Sequence, residues 1–156
     1  MNALSDRQGS DVLVVSSGGG HWVELRRLLP CLQGLEIAFV SVPSVANEIG
    51  NGLRFYEITD VTRWSRLAFV KVIRQLWNIC RRERPSVVIT TGAAPGLLAL
   101  AVGRLFGAKT IWVDSIANVD QLSLSGRLAG RFADVWLTQW EHLASANGPS
   151  YHGKVI

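Results

Sequence analysis

The hydrophobic period of this chain changes abruptly at Ser16-Ser17-Gly18-Gly19-Gly20-His21, and that change limits what can be built around it. The preceding run, Asp11-Val12-Leu13-Val14-Val15, is apolar without alternation and predicts a strand buried on both faces. After it, Trp22, Leu25, Leu28, Leu29 and Leu32 recur at helical spacing, with Glu24, Arg26 and Arg27 between them. A strand, a glycine run and a helix start together make an anion-binding turn. Glycine lets the backbone approach a ligand closely, and the first N–H groups of a helix lack partners. The same residues also suit a tight turn with nothing bound, and the glycines alone do not separate the two.

The alternation continues along the chain. A second strand is expected over 35–41; Pro43 opens a loop, Asn51-Gly52 marks a turn, and 53–58 reads as a shorter third strand. A helix from Thr62 or Arg63 to Arg82 precedes Pro85, and 86–91 is the fourth strand. It runs into Gly92-Ala93-Ala94-Pro95-Gly96, where Pro95 suits a first helical turn, and 97–106 continues as an unusually apolar helix. A strand over 109–113, a helix over 122–131 and a strand over 134–138 complete the pattern. Near-continuous apolar strands alternating with helices predict an α/β fold: a doubly wound, Rossmann-like parallel sheet covered on both faces.

In such a sheet, ligands bind outside the carboxyl ends of the strands, where the strand order reverses. Every unusual loop falls on that edge: SSGGGH, TGAAPG, and Asp114-Ser115-Ile116-Ala117-Asn118. With the common strand order the first and fourth strands are neighbours, so the two glycine loops meet. Two helix N-termini facing one crevice match a diphosphate better than a single phosphate.

Composition narrows the class. At 156 residues, nearly half of them hydrophobic, the chain is expected to form one domain over 11–146, with a polar tail over 1–10 and a docking tail over 147–156. The net charge is +4 and the cations are mostly arginine, which suits anionic partners. A nucleic acid is not among them, because the arginines are spread over several elements and form no stripe interleaved with aromatics. Cys31 and Cys80 have no Cys-x-x-Cys spacing and are expected to pack in a reduced, cytoplasmic protein. The most apolar stretch, 93–103, contains Pro95, ends at Arg104 and falls short of the ~20 residues a bilayer demands.

Cofactor chemistry is disfavoured in turn. The dinucleotide fingerprint needs a third glycine where Val23 stands and an acid where the second strand ends in Ser41. Gly107-Ala108-Lys109-Thr110 leads into a strand, so it is no P-loop, and no G-x-S-x-G elbow occurs. His21, His142 and His152 lack metal spacing. No cofactor and no metal are expected.

TTGAAPG, followed by GAKTIWVDSIANVDQLSLSGRLAGRFADVWLTQWEHLA and preceded by SSGGGHWVEL, resembles the asparagine-linked glycosylation protein 14 family and its bacterial exopolysaccharide relatives. The resemblance runs from Val12 to about Gly153. It implies the N-terminal half of a B-type (GT-B) glycosyltransferase, similar to the enzyme that adds N-acetylglucosamine to the peptidoglycan lipid precursor. It also implies an acceptor-side subunit that recruits a separate donor-binding glycosyltransferase subunit to complete the enzyme. The substrates implied are a UDP-sugar and a polyprenyl-diphosphate-linked sugar acceptor. Eukaryotic members usually carry a glutamate before the serine of Asp114-Ser115, an arginine near Asn118 and an N-terminal membrane helix. This sequence follows the bacterial form and is expected to meet the inner face of the membrane as a peripheral protein.

Two stretches are candidates for that contact. Within 64–82, Phe69, Val72, Ile73, Leu76 and Cys80 form an apolar stripe against Lys71, Arg74, Gln75, Asn78 and Arg82, a pattern that fits a lipid-lying helix or a core-covering one equally. The helix over 97–106 is apolar nearly all round and is either buried or lipid-facing, where it would guide a polyprenyl chain.

Transfer needs a base for the acceptor hydroxyl. His21, at the helix start beside the glycine loop, is the leading candidate; Asp114 is the alternative base, or the group that orients His21. Gly18, Gly19, Gly20, Gly92, Ala94 and Gly96 are expected to offer backbone N–H groups to the acceptor diphosphate, and Ser115, Asn118, Gln139 and Trp140 to contact acceptor or partner. Ser123, Ser125 and Arg127 are weaker candidates for the same contacts. The competing reading is a non-catalytic scaffold that anchors the donor-binding subunit at the membrane surface.

Overall fold

A computed structural model describes residues 9–50, 52–61 and 66–155; Asn51 of the expected turn and 62–65, where the second helix is expected to begin, lie outside them. Seven parallel strands form one sheet in the order β3-β2-β1-β4-β5-β6-β7. They are β1 (Val12–Val15), β2 (Ile37–Ser41), β3 (Arg54–Glu57), β4 (Val87–Thr90), β5 (Lys109–Val113), β6 (Val135–Thr138) and β7 (Ser150–Tyr151). Among the described residues four α-helices lie between strands: α1 (Gly20–Leu28), α2 (Arg66–Glu83), α3 (Ala93–Leu105) and α4 (Leu124–Ala129). The expected doubly wound sheet is therefore present, and β1 lies between β2 and β4.

Strand periodicity builds the core on both faces. Leu13 and Val15 enter one cluster with Val72, Leu76 and Cys80 of α2, Ala99 and Leu100 of α3 and Trp112 of β5. Val12 and Val14 point the other way, to Trp22 and Leu25 of α1 and Phe39 of β2. This two-sided burial is why the strands read as unbroken apolar runs.

Several elements differ from expectation for local reasons. Pro30 ends α1 at Leu28 and converts the next turn to a 3₁₀ helix, Leu29–Leu32, because proline cannot donate to the helical ladder. Ser123 caps α4, its hydroxyl accepting from the Gly126 N–H at 2.8 Å, so this helix begins at Leu124. The seventh strand falls inside the 147–156 segment: Tyr151 pairs with Thr138, and the middle of that segment is a sheet edge. Cys80 is buried, its thiol pushed up to about 12 by desolvation, but Cys31 is exposed and takes no part in packing.

Candidate functional site at the carboxyl edge of the sheet

The order reverses between β1 and β4, and the loops that leave these strands meet there. His21, at the first turn of α1, sends its ring across to the β4–α3 loop, where Nδ1 lies 2.9 Å from the Thr91 carbonyl oxygen. Thr91 answers with its hydroxyl, which donates to the His21 carbonyl at 2.6 Å. A carbonyl only accepts, so the proton is on Nδ1 and the Nε2 lone pair is left for other chemistry. The glycine loops thus come together as expected, but the imidazole fills their junction. A Cβ on Gly92 would stand 2.8 Å from His21 Cε1.

The neighbouring turn is strained. Gly92 has φ 130° and Ala93 has φ 63°, a left-handed conformation that a non-glycine residue adopts at a cost. Residues held there concentrate at functional sites. Ala93 and Ala94 form one side of a cleft of about 270 Å³. His21, Val61 and Phe69 contribute to its lining, and Ser115, Ala117, Asn118, Ser123, Leu124 and Ser125 complete it.

The opposite wall hangs on two buried carboxylates. Asp114 is 1% exposed. Its Oδ1 accepts from Trp112 Nε1 and Ser123 Oγ, each at 3.1 Å, and Oδ2 from Asn118 Nδ2 at 3.0 Å. With both oxygens occupied from within the β5 end and α4, Asp114 holds the wall; the group that orients His21 is the Thr91 carbonyl. Glu24, 4% exposed, is the second carboxylate: its Oε1 accepts from Ser115 Oγ at 3.1 Å and from the Ile116 N–H at 2.7 Å. Its Oε2 is buried with no hydrogen-bond partner. One turn of α1 therefore fixes both sides of the cleft, through His21 on Thr91 and Glu24 on Ser115–Ile116.

The sequence reading missed Glu24 and Thr91. The usable signal is that His21 and Glu24 are three residues apart, hence neighbours on one helix face. Of the expected site residues, His21, Ala94, Ser115 and Asn118 share the cleft with Ser123 and Ser125. Gly19 and Gly20 are exposed, and Gly18 sits against Ser44 and Val42. Gly96 is a packing glycine: a Cβ there would lie 2.0 Å from Thr90 Oγ1. Gln139 is buried and bridges two segments, donating to the Asp114 carbonyl at 3.0 Å and accepting from the Val155 N–H at 2.8 Å. Trp140 Nε1 donates to the Ile116 carbonyl at 2.8 Å, and Lys154 Nζ lies 3.9 Å from its ring centroid. Arg127 is exposed on α4.

The two membrane candidates resolve differently. Of the stripe that fitted lipid and core equally, Val72, Leu76 and Cys80 are buried in the core, Phe69 lines the cleft and Ile73 is exposed. The outer side of α2 carries a second apolar row, Leu67 (82% exposed), Val70 (64%), Ile73 and Trp77, among exposed Arg66, Lys71, Arg74 and Arg81. Helix α3 takes the buried alternative, with only Arg104 and Leu105 exposed, so it offers no apolar track for a prenyl chain. Among the described residues, no helix is long and apolar enough to cross a membrane.

Comparison with known proteins adds the following. The family model described as "Oligosaccharide biosynthesis protein Alg14 like" matches residues 54–155. The rat protein named UDP-N-acetylglucosamine transferase subunit ALG14 is 27% identical over 98% of this chain and 86% of its own length. The human protein of the same name is 25% identical over the same shares. Among solved structures, Acinetobacter baumannii MurG superposes with a TM-score of 0.73 at 14% identity, covering 90% of this chain and 44% of MurG. UDP-N-acetylglucosamine 2-epimerase from Rickettsia bellii gives 0.67 at 13%, covering 92% and 44%. The fold is thus the Rossmann-like half of a GT-B architecture, and this chain spans less than half the length of either solved structure.

Proposed function

We propose, since this chain belongs to the Alg14-like family of oligosaccharide biosynthesis proteins, that it is the acceptor-binding subunit of a two-component glycosyltransferase. In this reading it helps move a sugar from a UDP-sugar to a polyprenyl-diphosphate-linked saccharide in polysaccharide biosynthesis. The observation that carries the reading is the imidazole at the loop junction, its Nδ1 proton committed to Thr91 and its ring lining the cleft. The acceptor hydroxyl attacks the anomeric carbon of the UDP-sugar as the bond from that carbon to the diphosphate oxygen of UDP breaks. His21 Nε2 takes the hydroxyl proton, and UDP leaves with the bonding electrons. His21 is the catalytic residue, and Asp114 and Glu24 are positioning residues.

The diphosphate of the acceptor is assigned to the cleft side formed by Ala93 and Ala94, where the first N–H groups of α3 lack helical partners. Gly92 lets the loop turn there. Gly18, Gly19, Gly20 and Gly96 act by shaping the loops rather than by contact. The donor comes on a separate donor-binding subunit, a reading supported by the rat and human relatives, both of which are named as transferase subunits. Gln139 holds the 150–155 segment against the sheet, and Trp140 with Lys154 forms the surface offered to that partner.

In this reading the outer row of α2 is the side by which the subunit meets the inner membrane surface. Leu67, Val70, Ile73 and Trp77 enter the interface, and the surrounding cations meet anionic headgroups, each contributing about 1 kcal/mol. Phe69 of the same helix lines the cleft, so a lipid-linked acceptor reaches the site without leaving the bilayer surface.

The test is transfer from UDP-sugars to a short-chain polyprenyl-diphosphate sugar, with this chain and a donor-binding subunit mixed or separate. Transfer by the mixture alone is expected. Transfer by this chain unaided contradicts the two-component reading, and no transfer with any UDP-sugar contradicts the enzyme reading.

A further inference from the structure

The wall of the cleft that follows β5 has turned most of the donors of its 115–118 loop inward. Ser115 gives its hydroxyl proton to Glu24 and takes the Ala117 N–H at 3.2 Å, leaving one lone pair. Ser123 gives its proton to Asp114 and takes the Gly126 N–H, again leaving one lone pair. Asn118 spends an amide proton on Asp114 Oδ2, which fixes its oxygen as the other end of the amide. The backbone follows suit: the N–H of Ile116 goes to Glu24 and that of Asn118 to the Ser115 carbonyl at 3.0 Å. Across the cleft His21 Nε2 is also an acceptor, by the tautomer Thr91 imposes. Ser125 and the second amide proton of Asn118 are the side-chain donors left on this wall, and the N–H groups of Leu124 and Ser125, in the first turn of α4, are the backbone donors left beside them.

We infer that this wall, at Ser115, Asn118 and the Ser123 hydroxyl, is a sugar-reading surface: there it accepts hydrogen bonds from the hydroxyls of the bound saccharide and disfavours phosphate. A phosphate oxygen is an acceptor and needs N–H groups or cations. Here it would face lone pairs backed by the carboxylates of Glu24 and Asp114, both buried and both spent on polarising the wall. A saccharide hydroxyl brings a proton to these lone pairs. The ligand is thereby oriented, with its sugar against Ser115, Asn118 and Ser123 and its diphosphate away from them. The inference rests on the proposed function only for the identity of the ligand as a diphosphate-linked sugar.

The experiment is calorimetric titration of the full chain. The probe is N-acetylglucosamine joined through diphosphate to a short soluble prenyl chain, compared with the same prenyl diphosphate lacking the sugar. Deoxy and deoxyfluoro forms of the sugar at each hydroxyl complete the set. Fluorine keeps the size and the lone pairs of a hydroxyl but has no proton to give. The sugar is expected to raise affinity about tenfold, and at one or more positions the fluoro and deoxy forms both lose that gain, as expected for a hydrogen bond donated into a desolvated site. Ser115→Ala and Asn118→Ala each abolish the preference for hydroxyl over fluorine and leave the sugar-free compound unaffected; Asn118 is only half-buried, so its variant stands in if Ser115→Ala unfolds the protein. The inference is overturned if the sugar-free compound binds as tightly as the full probe, if fluoro forms bind like the parent, or if either variant weakens the sugar-free compound instead. These binding outcomes are separate from the transfer assay, whose failure bears on the enzyme reading alone.

Discussion

His21 and Thr91 hold each other across the β1–β4 junction by two hydrogen bonds, imidazole Nδ1 to carbonyl at 2.9 Å and hydroxyl to carbonyl at 2.6 Å. The pair joins the two glycine loops and fixes the ring tautomer, so the conformation of the Gly92 turn and the reactivity of the imidazole are one property.

Gly92→Ala tests that coupling. A methyl group at φ 130° would sit 2.8 Å from His21 Cε1 and 2.9 Å from Nδ1, so the ring must swing off Thr91. The substitution is expected to cost about 1–3 kcal/mol of stability. It should also lower the turnover of the reconstituted transferase by about 100-fold or more, the low end of what a general base contributes. Urea unfolding and initial-rate kinetics measure the two.

Asp114→Asn separates positioning from catalysis. The amide cannot accept from Trp112, Ser123 and Asn118 as the carboxylate does, and a mismatched buried group costs about 1–3 kcal/mol. We expect a lower urea midpoint and a higher acceptor KM, with kcat falling far less than in His21→Ala. A kcat loss equal to that of His21→Ala would make Asp114 the base.

Asp134 gives the fold an acid-sensitive joint. The Thr110 N–H, at 2.9 Å from Oδ2, holds its carboxyl below the ordinary value of 3.8, helped by the Thr110 hydroxyl. A depressed folded-state pKa means stability that is present above the unfolded value and lost as pH falls through the folded one. Wild type should therefore exceed Asp134→Asn in stability at pH 7, and the gap should close once the pH drops below 3.8 and through the folded value, as read by denaturant titration at a series of pH values.

The outer face of α2 is tested by sedimentation with vesicles. Binding to anionic vesicles at low salt is expected, with little to neutral ones, and Leu67→Asp with Val70→Asp should remove it. Both side chains are exposed, so the doubly substituted protein should unfold at the wild-type urea midpoint. Equal binding of wild type and variant would exclude this face.

The sheet was legible because burial on both faces leaves uninterrupted apolar runs in β1, β2 and β4, and glycine or proline punctuates the junctions other than those after β3 and β5. Strand β7 left no such signal: Ser150–Tyr151 is two residues long, and its pairing with β6 is set by tertiary contact. On α2, periodicity identified the apolar row that packs on the core, but not which of two apolar rows faces outward; Val70 and Trp77 needed the position of the sheet. Glu24 was hidden for a different reason. A charge between helical apolar positions reads as solvated, and the serine that makes its burial tolerable lies 91 residues away. Asp114 was found as a strand-end acid, but its three donors, and hence its role, depend on the fold of the loop after β5.

The most direct test of the account is transfer by His21→Ala paired with the donor-binding subunit under conditions where the wild-type pair is active. Loss of a general base predicts a fall in kcat of about 10²–10⁴-fold, with the urea midpoint shifted only modestly and the donor KM unchanged. Wild-type turnover by the His21→Ala pair would contradict the account and leave this chain as a scaffold for chemistry performed elsewhere.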